Sequence, residues 1–185
     1  MPSTSEFGKN FILEIVESFL SSLAVLLVLY AFLAFPEIVS GASMEPYIHD
    51  GERILVERIS KHFSGYKRGD VVVFHPPDND KIDYVKRVIG VPGDIVKIAD
   101  CKVYVVRDSS RFVLEEPYVY AETCTQGGPG FNDGKAQKIE EGQLLVLGDN
   151  RSKSADSRLF GPITEDRVVG KAVFRFWPFS KFGFL

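Results

Sequence analysis

The chain has 185 residues, enough for one well-buried domain plus an accessory element and too few for a second independent core. Its 22 Lys and Arg are scattered among 25 Asp and Glu, and the formal charge of −3 supplies no basic field for nucleic acid, which is excluded as a partner. Hydrophobic residues make up 45% of the whole, but the first 36 residues are far more apolar than the rest.

Residues 1–10 read as an N-terminal tail and residues 11–35 as a transmembrane anchor helix. Ser18 to Phe35 (SFLSSLAVLLVLYAFLAF) carries no charge. At about 1.5 Å per residue this run spans about 27 Å as a helix, close to the roughly 30 Å hydrocarbon core, and Phe11 to Val16 extend it. A cleaved secretory signal has a shorter apolar region, and Ala31 and Ala34 lack the small-x-small spacing of a cleavage site. Lys9 before the span and Arg53 after it do not say which side the following domain faces.

After Pro36 the pattern changes to short apolar runs separated by turn residues, so residues 36–185 are expected to form an all-β, antiparallel domain. The expected strands are Arg53 to Ile59, Asp70 to His75, Ile82 to Ile89, Asp94 to Ala99, Lys102 to Val106, Gln143 to Leu147 and Val168 to Phe176. Breaks fall at Pro76-Pro77-Asp78-Asn79, Pro92-Gly93-Asp94 and Gly148-Asp149-Asn150, where turn chemistry places them. Residues 101–138 read as a variable insert, and Gln126 to Gly134 (QGGPGFNDG) within it as an exposed, flexible loop. Cys101 and Cys124 are open to two readings, one disulfide or two free thiols. No His or second Cys sits at ligand spacing from either, so no metal or other cofactor is expected.

Three stretches carry possible chemistry. Ser43, in SGASMEPYI just after the apolar run, is either a local turn cap or a nucleophile. The usual partner would be histidine, but His49, His62 and His75 each have an ordinary turn, surface or strand-end explanation, and G-x-S-x-G is absent. Lysine is another route. Lys86 lies in IDYVKRVI, where alternation puts Tyr84 and Val88 on its own face and Val85 and Ile89 on the other. An amine with an ordinary pKa near 10.4 is only about 0.04% neutral at pH 7. Burial that lowers the value to about 8 makes roughly 10% neutral at a cost near 3 kcal/mol. Taken alone, a strand lysine that packs its stem and wets its head is the commoner arrangement. The third stretch, Gly148 to Arg158 (GDNRSKSADSR), is either a solvated turn or a loop cross-braced by charge-assisted hydrogen bonds.

Taken in order, four segments resemble type I signal peptidases, membrane-anchored serine/lysine proteases: SGASMEP, RGDVVVF, DYVKRVIGVPGD and GDNRSKSADSRLFGPI. The resemblance runs from the anchor to about Gly170. It implies Ser43 as nucleophile, Lys86 as general base and Ser154 as a hydroxyl bonded to the lysine amine. It further implies Asp149, Arg151, Asp156 and Arg158 as charged residues stabilising the site, with Arg87 as partner for Asp149. Met44, Ile48, Tyr84 and Val85 match positions lining shallow apolar pockets for small substrate side chains. Two positions depart from the pattern. Gly41 stands where many members carry an oxyanion-binding serine, and P-Y-I replaces P-T-L after the nucleophile.

The implied activity is cleavage of signal peptides from exported preproteins after small-x-small motifs, by a monomer in the cytoplasmic membrane with its catalytic domain outside. Preproteins, membrane lipid and the secretion translocon are the implied partners, and no cofactor is implied. A processing peptidase dedicated to pilin or another single substrate is the nearest alternative within the class, and an inactive membrane-anchored binding domain the alternative outside it. The C-terminal FRFWPFSKFGFL has two open readings, a final strand or a set of aromatics at a lipid interface.

Overall fold

A computed structural model describes residues 4–185, with side chains described from Phe11 onward except at residues 29–32 and at His62. The surface reading of the His62 side chain and the start of the expected N-terminal tail therefore lie outside the described residues. Two compact units divide the chain, residues 1–35 and 36–185.

In the first unit a helix, α1 (Thr4–Phe32), takes in most of the expected tail. It contains Phe11–Val28, the one stretch among the described residues long and apolar enough to cross a membrane. The helix stops short of residue 35: Ala34 and Phe35 belong to β1 (Ala34–Ile38), which runs through Pro36. Proline has no N–H for a ladder and is tolerated on an edge strand, and β1 is one.

The second unit continues with β2 (Arg53–Glu57), a single turn α2 (Ser60–Phe63), β3 (Val71–Phe74), β4 (Tyr84–Gly90), β5 (Ile95–Ala99), β6 (Lys102–Arg107) and β7 (Ser110–Val113). It ends with β8 (Gln137–Lys138), β9 (Gln143–Leu147), α3 (Ser157–Phe160), β10 (Ile163–Thr164), β11 (Val168–Trp177) and β12 (Gly183–Phe184). One sheet has the order β1-β2-β11-β3-β4-β9-β10, with β12 added against β11, and a second has the order β7-β6-β5-β8. The fold is mostly antiparallel β with one N-terminal apolar helix, as the short apolar runs require. Two hairpins in the smaller sheet turn on Asp100-Cys101 and Asp108-Ser109, all four residues having positive φ, as type I′ turns need.

Strand β9 explains where the core sits. Leu144 and Val146 pack on one side with Val72, Phe74, Val88 and Ile163, while Leu145 and Leu147 pack on the other with Ile89, Val96, Val105 and Phe131. Both faces are covered, so QLLVL is continuously apolar instead of alternating. Phe131 overturns one expectation: the QGGPGFNDG stretch is no loose surface loop, because this ring is buried in the core and Gly130 N donates to Arg158 O at 2.8 Å. Its glycines give no apolar pattern, yet a Cβ on Gly128 or Gly130 would strike backbone of residues 158–161.

Candidate active site

Register builds the site. Lys86 pairs with Val72 on β3, and its neighbour Arg87 pairs with both Val71 on β3 and Leu147 on β9. Because β4 and β9 run antiparallel, the chain leaving β9 at Gly148 passes beside Lys86, which brings the third chemical stretch to the second. The first arrives through backbone: Asn150 N donates to Ser43 O at 3.0 Å. Ser43 and Lys86, far apart in sequence, then meet with Lys86 Nζ hydrogen-bonded to Ser43 Oγ at 2.8 Å and donating to Val85 O at 2.9 Å.

Lys86 is only 3% exposed, because both faces of β4 are covered. Burial lowers its amine from the ordinary value to about 8, against Asp156 and Asp149, whose charges pull it up. Among the described residues no histidine competes for Ser43. His49 Nδ1 lies 2.9 Å from Lys181 Nζ, and His75 Nδ1 lies 2.9 Å from Asp83 Oδ1.

Behind the pair, GDNRSKSADSR is a braced loop. Asp149 accepts from Arg87 Nε at 2.8 Å and from Arg87 Nη2 at 2.6 Å. Burial raises the Asp149 carboxyl above its ordinary value, and the Arg87 fork opposes the rise. Tyr47 and Tyr118 lie over the Arg87 guanidinium at 4.5 and 4.1 Å. Asp156 accepts from Gly148 N at 3.0 Å and caps α3, while both its oxygens pair with Arg158. Arg151 Nε donates to Gly148 O at 2.9 Å. A Cβ on Gly148 would stand 2.6 Å from Ser43 O and strike Ser154, so only glycine fits between them.

Two expectations change. Ser154 Oγ is buried beside Gly148 without a hydrogen-bond partner among the described residues, so the expected bond to the Lys86 amine is not formed in this geometry. Lys86 instead spends its bonds on Ser43 and Val85. Met44 and Ile48 are not among the residues that line the cleft at Ser43 and Lys86. They are 1% and 0% exposed, closed in a turn by Ile48 N donating to Met44 O at 2.9 Å, and apolar side chains in such a turn point inward.

The structure also gives Gly41 a physical setting. Its N–H donates to Asp50 Oδ1 at 2.7 Å and its φ is +91°, a conformation that strains any residue with a Cβ. Gly41→Ser is therefore expected to cost about 1–3 kcal/mol of stability without raising turnover, read by thermal unfolding beside a cleavage assay. An equal or higher melting temperature would refute it.

A cleft of about 440 Å³ opens at Ser43 and Lys86 between residues 37–42 on one wall and 82–85 on the other. Tyr84 and Val85 line it, joined by Ile38, Ala42, Ile82 and Ala155, which the sequence did not single out. Each wall includes a short strand segment, Glu37–Ile38 of β1 and Tyr84–Val85 of β4, and extended backbone is the form that accepts a peptide as an added strand. Sequence reasoning also missed Glu116 and Thr125, which bind Arg151. They lie in the insert, where no periodicity or motif marks them.

The family model described as "Signal peptidase, peptidase S26" matches residues 12–177. A "Signal peptidase IB" of Staphylococcus aureus (strain COL) is 42% identical over 94% of this chain and 94% of its own length. A "Signal peptidase I" of Bacillus licheniformis is 36% identical over 94% of this chain and 92% of its own. The crystal structure of a signal peptidase I from Enterococcus faecalis V583 aligns with TM-score 0.47 and 28% identity, covering 58% of this chain and 97% of that one.

Proposed function

Because the chain belongs to the S26 signal peptidase family, serine peptidases that cleave signal peptides from preproteins, we propose that Ser43 and Lys86 carry out that cleavage as nucleophile and general base. The observation that carries this reading is the 2.8 Å approach of a buried lysine amine to a serine hydroxyl at the floor of the cleft. The preprotein lies as an extended strand between the two walls, its backbone bonded to them and its small side chains seated beside Ile38, Ala42, Ile82, Tyr84 and Val85. The neutral Lys86 lone pair accepts the Ser43 proton as Oγ attacks the scissile carbonyl. The ammonium then delivers that proton to the leaving amine. Water repeats the sequence on the acyl enzyme, and the Ser43 backbone N–H serves the oxyanion.

A neutral amine has two N–H groups, and Val85 O takes one. Ser154 Oγ, otherwise an orphan, is the natural acceptor for the other once substrate closes the cleft. Asp149, Arg151, Asp156 and Arg158, with Arg87, act as the frame that keeps the loop behind Ser43 in place. Gly41 leaves the oxyanion without a side-chain hydroxyl from that position.

The Cys101–Cys124 disulfide supports placing the catalytic domain outside the cytoplasmic membrane, since disulfides persist in oxidising compartments. Trp177, Phe179, Phe182 and Phe184 are exposed and stack edge to face among themselves and with Phe174, a surface suited to lipid headgroups.

Purified enzyme incubated with a preprotein should release the mature chain, and Ser43→Ala should slow release by at least about a thousandfold. Processing by Ser43→Ala at the parent's rate would end this reading.

A further inference from the structure

Three arginines gather behind Ser43 and Lys86, and the closing loop supplies carboxylates for only two. Asp149 is taken by Arg87 and Asp156 by Arg158. Arg151, whose side chain is 1% exposed, takes its carboxylate from Glu116, in the segment between β7 and β8. Its Nη1 donates to Glu116 Oε2 at 3.2 Å and to Thr125 Oγ1, and its Nη2 donates to Glu116 Oε1. A buried cation deprived of its partner is strongly destabilising, so the loop's geometry depends on a carboxylate from the insert.

That segment is itself fixed. Cys124 is bonded to Cys101 in the β5–β6 turn, and Thr125 N donates to Cys101 O at 3.2 Å. Tyr118, the residue over Arg87, donates its hydroxyl to Glu116 at 3.1 Å. On the other side, Arg151 holds Gly148 O, and Asn150 N holds Ser43 O. A continuous run of bonded groups therefore joins the disulfide to the nucleophile's own carbonyl.

We propose that Glu116 and Thr125 are positioning residues for signal-peptide cleavage, kept in place by the Cys101–Cys124 disulfide and acting through Arg151 on the Ser43 backbone. This rests on the reading of Ser43 as nucleophile. Neither residue lines the cleft, nor does either cysteine, so they set the geometry of attack and leave substrate contact alone. Attack distances of about 3 Å leave little tolerance, and a displacement on the order of 1 Å can cost about 100-fold in rate.

The test uses full-length enzyme in detergent micelles with a preprotein whose signal peptide ends in Ala-x-Ala. The parent is compared with Glu116→Gln, Thr125→Val, Cys101→Ser/Cys124→Ser and Ser43→Ala. Turnover is normalised to the folded fraction read from each unfolding curve, which removes a merely structural loss. Glu116→Gln should lower kcat by about 10- to 100-fold with KM changed by less than about twofold, and Thr125→Val should move kcat the same way. Dithiothreitol passes two electrons and two protons to the disulfide, leaving two thiols and its own cyclic disulfide. It should lower kcat of the parent and leave the double serine variant where it already was. If normalised kcat is unchanged in both Glu116→Gln and Thr125→Val, or only KM moves, while Ser43→Ala is inactive, the positioning role is refuted. Cleavage by Ser43→Ala would instead overturn the nucleophile reading beneath it.

Discussion

Lys86→Met is expected to abolish preprotein cleavage while stabilising the protein by up to about 3 kcal/mol at pH 7. The loss follows from removing the base: nothing else among the described residues lies within hydrogen-bond distance of Ser43 Oγ with a free pair to take its proton. The gain follows from linkage. The amine has a folded-state value of about 8 against an ordinary 10.5, so below pH 8 the folded protein carries a buried ammonium that the unfolded chain holds in water. The unfolded state binds more protons between those two values, so parent stability rises with pH from about 8 to 10.5. The advantage of methionine is accordingly full below pH 8 and gone above 10.5. In the parent, activity should climb through about pH 8 as the amine loses its proton. Denaturant midpoints at pH 7 and 10.5, set beside a pH–rate profile, check both halves. A variant less stable than the parent at pH 7 would show that burial of Lys86 carries no such cost.

Arg87→Met is expected to cost about 3–5 kcal/mol, a third or more of the stability of an ordinary domain. Methionine keeps much of the apolar contact with Tyr47 and Tyr118 but leaves Asp149, fully buried, without the fork that neutralises it. Burial already raises the Asp149 carboxyl in the parent, and without the opposing fork it rises further above its unfolded value, so the folded variant binds the proton more tightly. Stability is then lost as pH rises through that window, and the defect is greatest at neutral pH and shrinks in acid. Adding Asp149→Leu removes the stranded charge and should recover most of the loss, as buried ion pairs often tolerate apolar replacement of both partners. Unfolding curves of the single and double variants decide it: a double variant no better than Arg87→Met would mean the pair is needed for more than neutralising charge.

The strands around the site could be read in the chain because each is a run of β-branched and apolar residues closed by Gly, Pro, Asn or Asp. Alternation put Tyr84 and Val88 on the face of Lys86, but alone it left a lysine with a wet head the commoner arrangement, and the resemblance in order along the chain pointed to a buried base. What alternation cannot give is the number of covers. Both faces of β4 and β9 are packed, and that follows from the second sheet, whose arrival depends on pairing between distant segments. The contribution of Glu116, Thr125 and Tyr118 was illegible for the same reason: they act through contacts of long range and lie where the chain has no period. The burial of Met44 and Ile48 was hidden for a different reason. A position matched along a motif carries no information on which way a turn points its side chains. Gly41 could be seen as a departure, but the reason for it is a positive φ, which no residue type states by itself.

The glycine at 148 has a consequence for inhibition. With Ser43 O and Ser154 already where a Cβ would stand, the loop is closed up against the back of the nucleophile, and the cleft is the opening at which Ser43 is presented. A compound that reaches Ser43 Oγ through this cleft lies along the same two walls as the peptide. Substitutions that weaken such a compound would then tend to weaken substrate as well, which narrows the routes to resistance.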